Sequence, residues 1–335
     1  METVWILLGA LLVIFLAAEL FTNALECLGE RMGVSEGVTG SIFAAVGTAM
    51  PETIVPMVAI LAGGAAIEVN HAVGMGAILG APFMLATLSL GLVGLFAGLK
   101  RGWNTTMTPE PTGFRRDIQV FLIAYSLVVV VGLLPESWQL VRVGAACGLF
   151  ILYFMYILKT IRASKGLVAE GHGTEADSDL YCKRLFGDST PVAVLQLILA
   201  LVVLVLGAKL FVHGIEAAST MLGIAALVLS LLIVPIATEM PEKVNSILWV
   251  RKGRDTLAFG NITGAMVFQG SMIPAIGMLL LPWHFESAYA AMAVVLALLG
   301  SVWLWFLQSS GRLSGRMLMS SALLYVVFII YIIIA

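Results

Sequence analysis

Charge is scarce in this chain, and that scarcity decides the class of protein. Only 11% of its 335 residues are Asp, Glu, Lys or Arg, while 60% are hydrophobic. A soluble domain carries about 25% charged residues, so a water-soluble fold is excluded and a polytopic membrane protein is expected. Cysteine is also sparse. Cys27, Cys147 and Cys182 lie far apart, which suits neither a disulfide framework nor a zinc site. The four histidines are scattered. No glycine-rich phosphate loop follows a strand, which argues against nucleotide-driven transport within the chain. The apolar run from Val4 lacks a preceding basic region and a small-residue cleavage site. It reads as a first membrane span and not a removed signal.

What is present is a series of long apolar stretches. Ten all-α spans fit: about 4–28, 38–62, 72–99, 118–134 and 138–161, then 192–216, 224–250, 256–281, 285–307 and 318–334. With the N-terminus outside, the odd-numbered loops hold all 18 basic residues except Arg142, Lys209 and Lys243, and the even-numbered loops hold none. That positive-inside bias predicts an N-out, C-out topology. Trp5, Trp103, Trp138, Trp249 and Trp283 fall near span ends, as interfacial anchors do. The polar stretch 162–190 reads as a cytoplasmic linker between residues 1–161 and 191–335. Within it, His172 with Glu170, Glu175, Asp177 and Asp179 is a candidate for a regulatory cation, although a plain linker is the simpler reading.

The two parts repeat. Gly47-Thr48-Ala49-Met50-Pro51-Glu52 returns as Ala237-Thr238-Glu239-Met240-Pro241-Glu242, and residues 18–52 align without a gap to 208–242. Gly76-Ala77-Ile78-Leu79-Gly80-Ala81 matches Gly260-Asn261-Ile262-Thr263-Gly264-Ala265. Each part holds five spans, an odd number, so the second must enter the membrane from the opposite side. An inverted-topology repeat is a transporter architecture.

An acid at mid-membrane costs about 2.5–3.5 kcal/mol on insertion scales, so Glu52 and Glu242 in matched positions point to function. Proline donates no backbone hydrogen bond, so Pro51 and Pro241 predict helix breaks that free carbonyls. Thr48 and Thr238 precede the acids by one helical turn and share their face. Such oxygens suit Na⁺ or Ca²⁺. Glu239 is either a third acid of the site or neutralised by Lys243, at a spacing that favours pairing. Asn261 and Gln269 supply neutral oxygens in the second part, where the first has Ala77 and Leu85. Ala45, Gly47, Met50 and Met240 complete the candidate lining. The two methionines suit packing better than a soft metal. Glu19, Glu26, Glu216, Lys209 and His213 lie toward span ends and read as solvated.

These repeated phrases, each followed by a Gly-x-x-x-Gly span, resemble the two α-repeats of the cation/Ca²⁺ antiporter superfamily, whose best-known members are the sodium/calcium exchangers. The α-repeats would cover about 38–99 and 224–281. The resemblance implies that Glu52 and Glu242 are central cation ligands and that Thr48 and Thr238 contribute oxygens. The family usually reads Gly-Ser-Asn in the second element, with a further Asn or Asp. Here stand Gly80-Ala81-Pro82 with Leu85, and Gly264-Ala265-Met266 with Gln269.

The expected function is secondary antiport of Ca²⁺ against Na⁺ or H⁺ by alternating access, without a cofactor or enzymatic activity. Its partners would be membrane lipid and the transported cations, not nucleic acid. A prokaryotic inner membrane suits the short loops, and the sequence defines no oligomeric state. The alternatives are a proton-coupled exchanger of another cation, which the missing polar ligands favour, and a non-transporting assembly subunit, which the retained acids argue against.

Overall fold

A computed structural model describes residues 2–31, 50–61, 67–169, 179–285 and 287–334. Among them there is no β-strand beyond one isolated bridge, Thr106 to Ser314. The helices in order are α1 (Glu2–Arg31), α2 (Met50–Leu61), α3 (Ile67–Met84), a π-turn (Leu85–Ser89), α4 (Leu90–Arg101), α5 (Pro111–Gly132), α6 (Gln139–Ala169) and α7 (Lys183–Phe186). Then follow α8 (Thr190–Leu222), α9 (Ala226–Thr238), α10 (Met240–Arg251), α11 (Asp255–Leu280), α12 (Ala288–Ser309), α13 (Gly315–Met319) and α14 (Ala322–Ile334).

Among the described residues seven helices are long and apolar enough to cross a bilayer, which makes this an integral membrane protein of all-α class. Met50–Leu61 and Ala226–Ile236 are shorter apolar helices within the expected second and seventh spans. The seventh is two helices, α9 and α10, as Pro241 requires. The third, with its glycines and Pro82, runs from Ile67 to Arg101 through the π-turn.

α1 and α8 lie antiparallel along each other. Asn23 meets Gln196 at one end, a Cβ at Gly207 would touch Ile14, and one at Gly214 would touch Leu7. Their outer faces, with Trp5, Leu8, Leu12, Ile198, Val202 and Leu206, are exposed, as suits helices that face lipid. Their inner faces share an apolar cluster with α2, α3 and α9, in which alanines such as Ala10, Ala17, Ala59, Ala208 and Ala218 alternate with larger side chains such as Ile14, Leu204 and Phe211. A separate and larger cluster gathers α3 to α6 with α11 to α14.

α3 and α9 approach to backbone contact. A Cβ at Gly76 would lie 2.6 Å from the Leu227 carbonyl oxygen, and one at Gly80 would lie 2.5 Å from that of Leu231. Only glycine permits this, and it lets Ser230 Oγ donate to the Val73 carbonyl across the seam at 2.6 Å.

The loops separate by charge. Residues 102–110, 252–254 and 310–314 meet at one end. There Arg101 pairs with Asp255, the Thr108 amide donates to Asp255 Oδ2 at 2.8 Å and the Met107 amide to the Leu313 carbonyl at 2.7 Å. This end carries most of the basic residues near these helices, among them Lys100, Arg115, Arg251 and Arg312. At the other end His284 contacts the Leu134 carbonyl at 3.1 Å and the Phe285 amide donates to Gly132 at 2.9 Å. The Arg142 guanidinium caps this second end, donating to the carbonyls of Leu134, Pro135 and Glu136.

Trp283 corrects one expectation. It is fully buried, not an interfacial anchor, because its ring fills the space over Gly277. The helix expected to end near Ile161 continues to Ala169. Beyond it, residues 179–182 dock on α1 and α8: Asn23 bonds to Asp179 and Tyr181, and Gln196 accepts from the Cys182 amide. His172, Glu170, Glu175 and Asp177 lie outside the described residues, as does the side chain of Glu26. Glu19 accepts from the Tyr181 hydroxyl at 3.0 Å, and Glu216 pairs with His213.

Candidate cation site at the helix breaks

Pro241 has no N–H to give to the turn before it, and the helix interrupts at Glu239, whose φ of −95° and ψ of 10° lie outside helical geometry. A new helix starts at Met240 with the proline in its first turn, where proline is tolerated. Glu242 falls in that first turn. Glu52 falls in the first turn of α2 just after Pro51. Both acids therefore sit at helix N-termini, where unpaired N–H groups and the helix dipole favour negative charge.

Both acids are withdrawn from solvent, Glu52 at 4% exposure and Glu242 at 2%. The two repeats bring them into electrostatic range of each other, and Glu52 also senses the charges of Glu239 and Lys243. Neither carboxylate oxygen of Glu52 accepts a hydrogen bond from the described residues, nor does Gln269 Oε1 on α11, which is also buried. Buried polar oxygens of this kind demand partners.

Glu239 is buried completely. Its Oε2 lies 3.3 Å from Lys243 Nζ, so the pairing expected from the spacing is present despite the intervening proline. The same ammonium donates to the Pro235 carbonyl at 2.8 Å and reaches Met84 Sδ at 3.0 Å. Met84 is the residue just before the π-turn of the third span. π-turns recur at functional positions because they displace the helix from regular pairing.

The remaining expected residues fall in different places. Thr238 is buried, its hydroxyl donating to the Val234 carbonyl at 3.1 Å, which leaves oxygen lone pairs available. Asn261 does not reach the acid side chains as a donor. It donates to the Glu242 carbonyl and to Ser246 Oγ, both at 3.0 Å, and so holds the start of α10 against α11. Met240 is exposed, and Met50 packs beside the apolar cluster of α1 and α8. Thr48, Ala45 and Gly47 lie outside the described residues. Among the described residues no three His, Cys, Asp or Glu side chains converge in metal-ligand geometry.

Two features escaped the sequence reading. Pro235, six residues before Pro241, supplies the carbonyl that receives Lys243; two prolines in one apolar span were the available signal. Asp117, buried in α5, accepts from Thr263 Oγ1 at 2.8 Å and lies 3.5 Å from Arg116. Arg116 stacks over Tyr156 at 5.6 Å. Asp117 stands one residue before the apolar run expected to begin near 118, yet the helix begins at Pro111 and includes it.

Comparison with known proteins gives this geometry a context. A family model described as sodium/calcium exchanger protein matches residues 2–162 and 192–335. The chain is 27% identical over 289 residues to inner membrane protein YrbG of Escherichia coli (strain K12), covering 85% of this chain and 82% of that one. It is 27% identical over 332 residues to the putative antiporter CaxA of Alkalimonas amylolytica, covering 96% and 97%. Among solved structures, the H⁺/Ca²⁺ exchanger CAX superposes with a TM-score of 0.69 at 18% identity, covering 99% of this chain and 86% of that chain. The sodium-calcium exchanger NCX_Mj superposes with a TM-score of 0.59 at 18% identity, covering 98% and 97%. At such identity the superpositions speak for the fold alone.

Proposed function

Since the chain belongs to the sodium/calcium exchanger protein family, we propose that it is a secondary cation antiporter that moves Ca²⁺ against Na⁺ or H⁺. One observation carries this reading. Glu52 and Glu242 come from opposite repeats, each in the first turn of a helix, both buried and within electrostatic range. In this reading they bind substrate and driving ion in competition. Two negative charges match one Ca²⁺, two Na⁺ or two protons, and a bare pair crosses poorly because buried uncompensated charge is costly. Thr238 and Gln269 add neutral oxygens, and Thr48 does the same by the repeat.

The fold supplies a moving part. α1 and α8 share an apolar cluster with α2, α3 and α9, apart from the larger cluster. We take this apolar seam as the plane along which they slide to open the site to alternate sides. Ten spans in two inverted sets of five, N-out and C-out, accommodate the charge segregation, with the basic end cytoplasmic. The relative's printed name, inner membrane protein, supports a prokaryotic inner membrane.

Ca²⁺ uptake into proteoliposomes under separate Na⁺ and pH gradients tests the proposal. Uptake driven by Na⁺ and abolished in Glu52→Gln and Glu242→Gln supports it, and normal uptake in both variants overturns the shared site. Proton-driven exchange of another cation is the second reading. Ala81, Pro82 and Leu85 favour it, being apolar where further ligands would otherwise stand. A pH gradient that replaces the Na⁺ gradient selects it.

A further inference from the structure

We propose that the Lys243 ammonium is a resident cation: it fills one cation position of the broken-helix site and so sets how many ions the site takes. The inference rests on the cation-site reading above and deepens it. Two of the groups around Nζ are oxygens of the kind that hold a small hard cation: the buried Glu239 carboxylate at 3.3 Å and the Pro235 backbone carbonyl at 2.8 Å. Met84 Sδ, a soft thioether, lies at 3.0 Å beside them. The carbonyl belongs to the last turns of α9, before the break, and also accepts from the Glu239 amide at 3.3 Å. Helical side chains lean toward the N-terminus of their helix. From the first turn of α10 the lysine stem thus leads its charge back across the break and into α9. Lys243 is 6% exposed and Glu239 is fully buried, so the contact does not belong to a solvated surface pair.

The repeat shows what this pair adds. The positions of Glu239 and Lys243 in the first repeat are Ala49 and Thr53, both uncharged. The second repeat thus carries one extra anion and one extra cation, introduced together, and the net charge left for transported ions remains that of Glu52 and Glu242. A site with Glu239 but without Lys243 would hold three carboxylates and call for one more monovalent ion. Lys243 supplies that charge from within the chain and never dissociates. It thereby removes one monovalent ion from each cycle.

The test uses purified full-length protein as wild type, Lys243→Met, and the double variant Glu239→Gln/Lys243→Met. Thermal unfolding is followed in Na⁺ and with Na⁺ replaced by N-methyl-D-glucamine, alongside equilibrium binding of radioactive Na⁺. Lys243→Met is expected to gain a Na⁺-dependent rise in melting temperature and about one additional bound Na⁺ per chain, since one unpaired carboxylate calls for one monovalent charge. The double variant is expected to lose both gains. If Lys243→Met folds only in Na⁺, the proposal is likewise supported.

The proposal is overturned if Lys243→Met responds to Na⁺ as wild type does. It is overturned equally if that variant fails to fold in either medium, or if the double variant keeps the gain. Because these readouts are binding and not flux, they stand apart from the exchange assay. A wild type without Ca²⁺ flux, beside a Lys243→Met protein that gains Na⁺, would remove the exchange reading and keep the resident cation.

Discussion

Laid over each other, the two repeated phrases agree in their threonine, methionine, proline and acid, and differ in charge at the third residue before the acid and at the residue after it. In the first repeat Glu52 follows Ala49 and precedes Thr53, and the matched third span offers Ala77, Leu79 and Leu85, all buried apolar residues. In the second, Glu242 lies between Glu239 and Lys243, and α11 offers Asn261 and Gln269, while its Thr263 is taken by Asp117. The polar material of the site is thus concentrated in one repeat, while the other contributes an acid and a tight apolar frame. Symmetry of backbone does not require symmetry of chemistry. One repeat can hold geometry through Gly76 and Gly80 while the other carries the ligands.

The largest expected effect tests whether the two acids still act as one. Losing one partner of a buried charge pairing costs about 3–5 kcal/mol, on the order of 10²–10⁴-fold in affinity. Glu52→Gln and Glu242→Gln should each lower apparent Ca²⁺ affinity in the transport assay by that order. A large loss in one variant beside normal affinity in the other would break the comparison and assign the site to a single repeat.

Next in size is the frame. A methyl group at Gly80 would meet the Leu231 backbone, which cannot move aside as a side chain does. Gly80→Ala should therefore destabilise the protein by about 1–3 kcal/mol, the usual cost of overpacking, read as a lower melting temperature in detergent. An unchanged melting temperature would show that α3 and α9 are not held at backbone contact.

Much of this was legible in the sequence, for physical reasons that can be named. The break at Glu239 followed from Pro241, because a missing N–H acts locally and needs no tertiary information. The Glu239 to Lys243 contact followed from their spacing for the same reason. Small residues in the third span signal close packing, but that Gly76 and Gly80 meet α9 in particular is a fact only the partner helix reveals. Asn261, a candidate for the site lining, uses its Nδ2 to hold the α10 backbone. Side-chain direction across a helix pair is set by packing, and sequence spacing does not encode it. Trp283 was buried by the same kind of tertiary contact, its ring lying over Gly277.

Asn261 therefore gives a finer test of the asymmetry. Its two hydrogen bonds, to the Glu242 carbonyl and Ser246 Oγ, fix the turn that presents Glu242. Asn261→Ala should cost about 1 kcal/mol, seen as roughly a fivefold weaker apparent Ca²⁺ affinity with little change in maximal rate. A loss of affinity as large as that of Glu242→Gln would instead make Asn261 a direct ligand.

The smallest effect lies outside the membrane, at the start of α5. Glu110 caps that helix, accepting from the Thr112 amide at 2.7 Å and the Gly113 amide at 2.6 Å. Partial burial pushes its carboxyl up, but those two amides and the Arg116 guanidinium outweigh burial and hold it below the usual carboxylate range. A folded-state value below the unfolded one means that its stabilisation is complete above the unfolded value of about 4.3. The stabilisation is then lost as pH falls through the folded value. Glu110→Ala should lower stability by about 0.5–1 kcal/mol near neutral pH, in the range of N-cap losses. The difference from wild type should shrink in acid, and melting curves at pH 7 and pH 3 check this. A difference that persists unchanged at pH 3 would mean that the cap acts through shape alone. It would leave the charge at this end of the bundle without a part in holding the third and fourth spans in register.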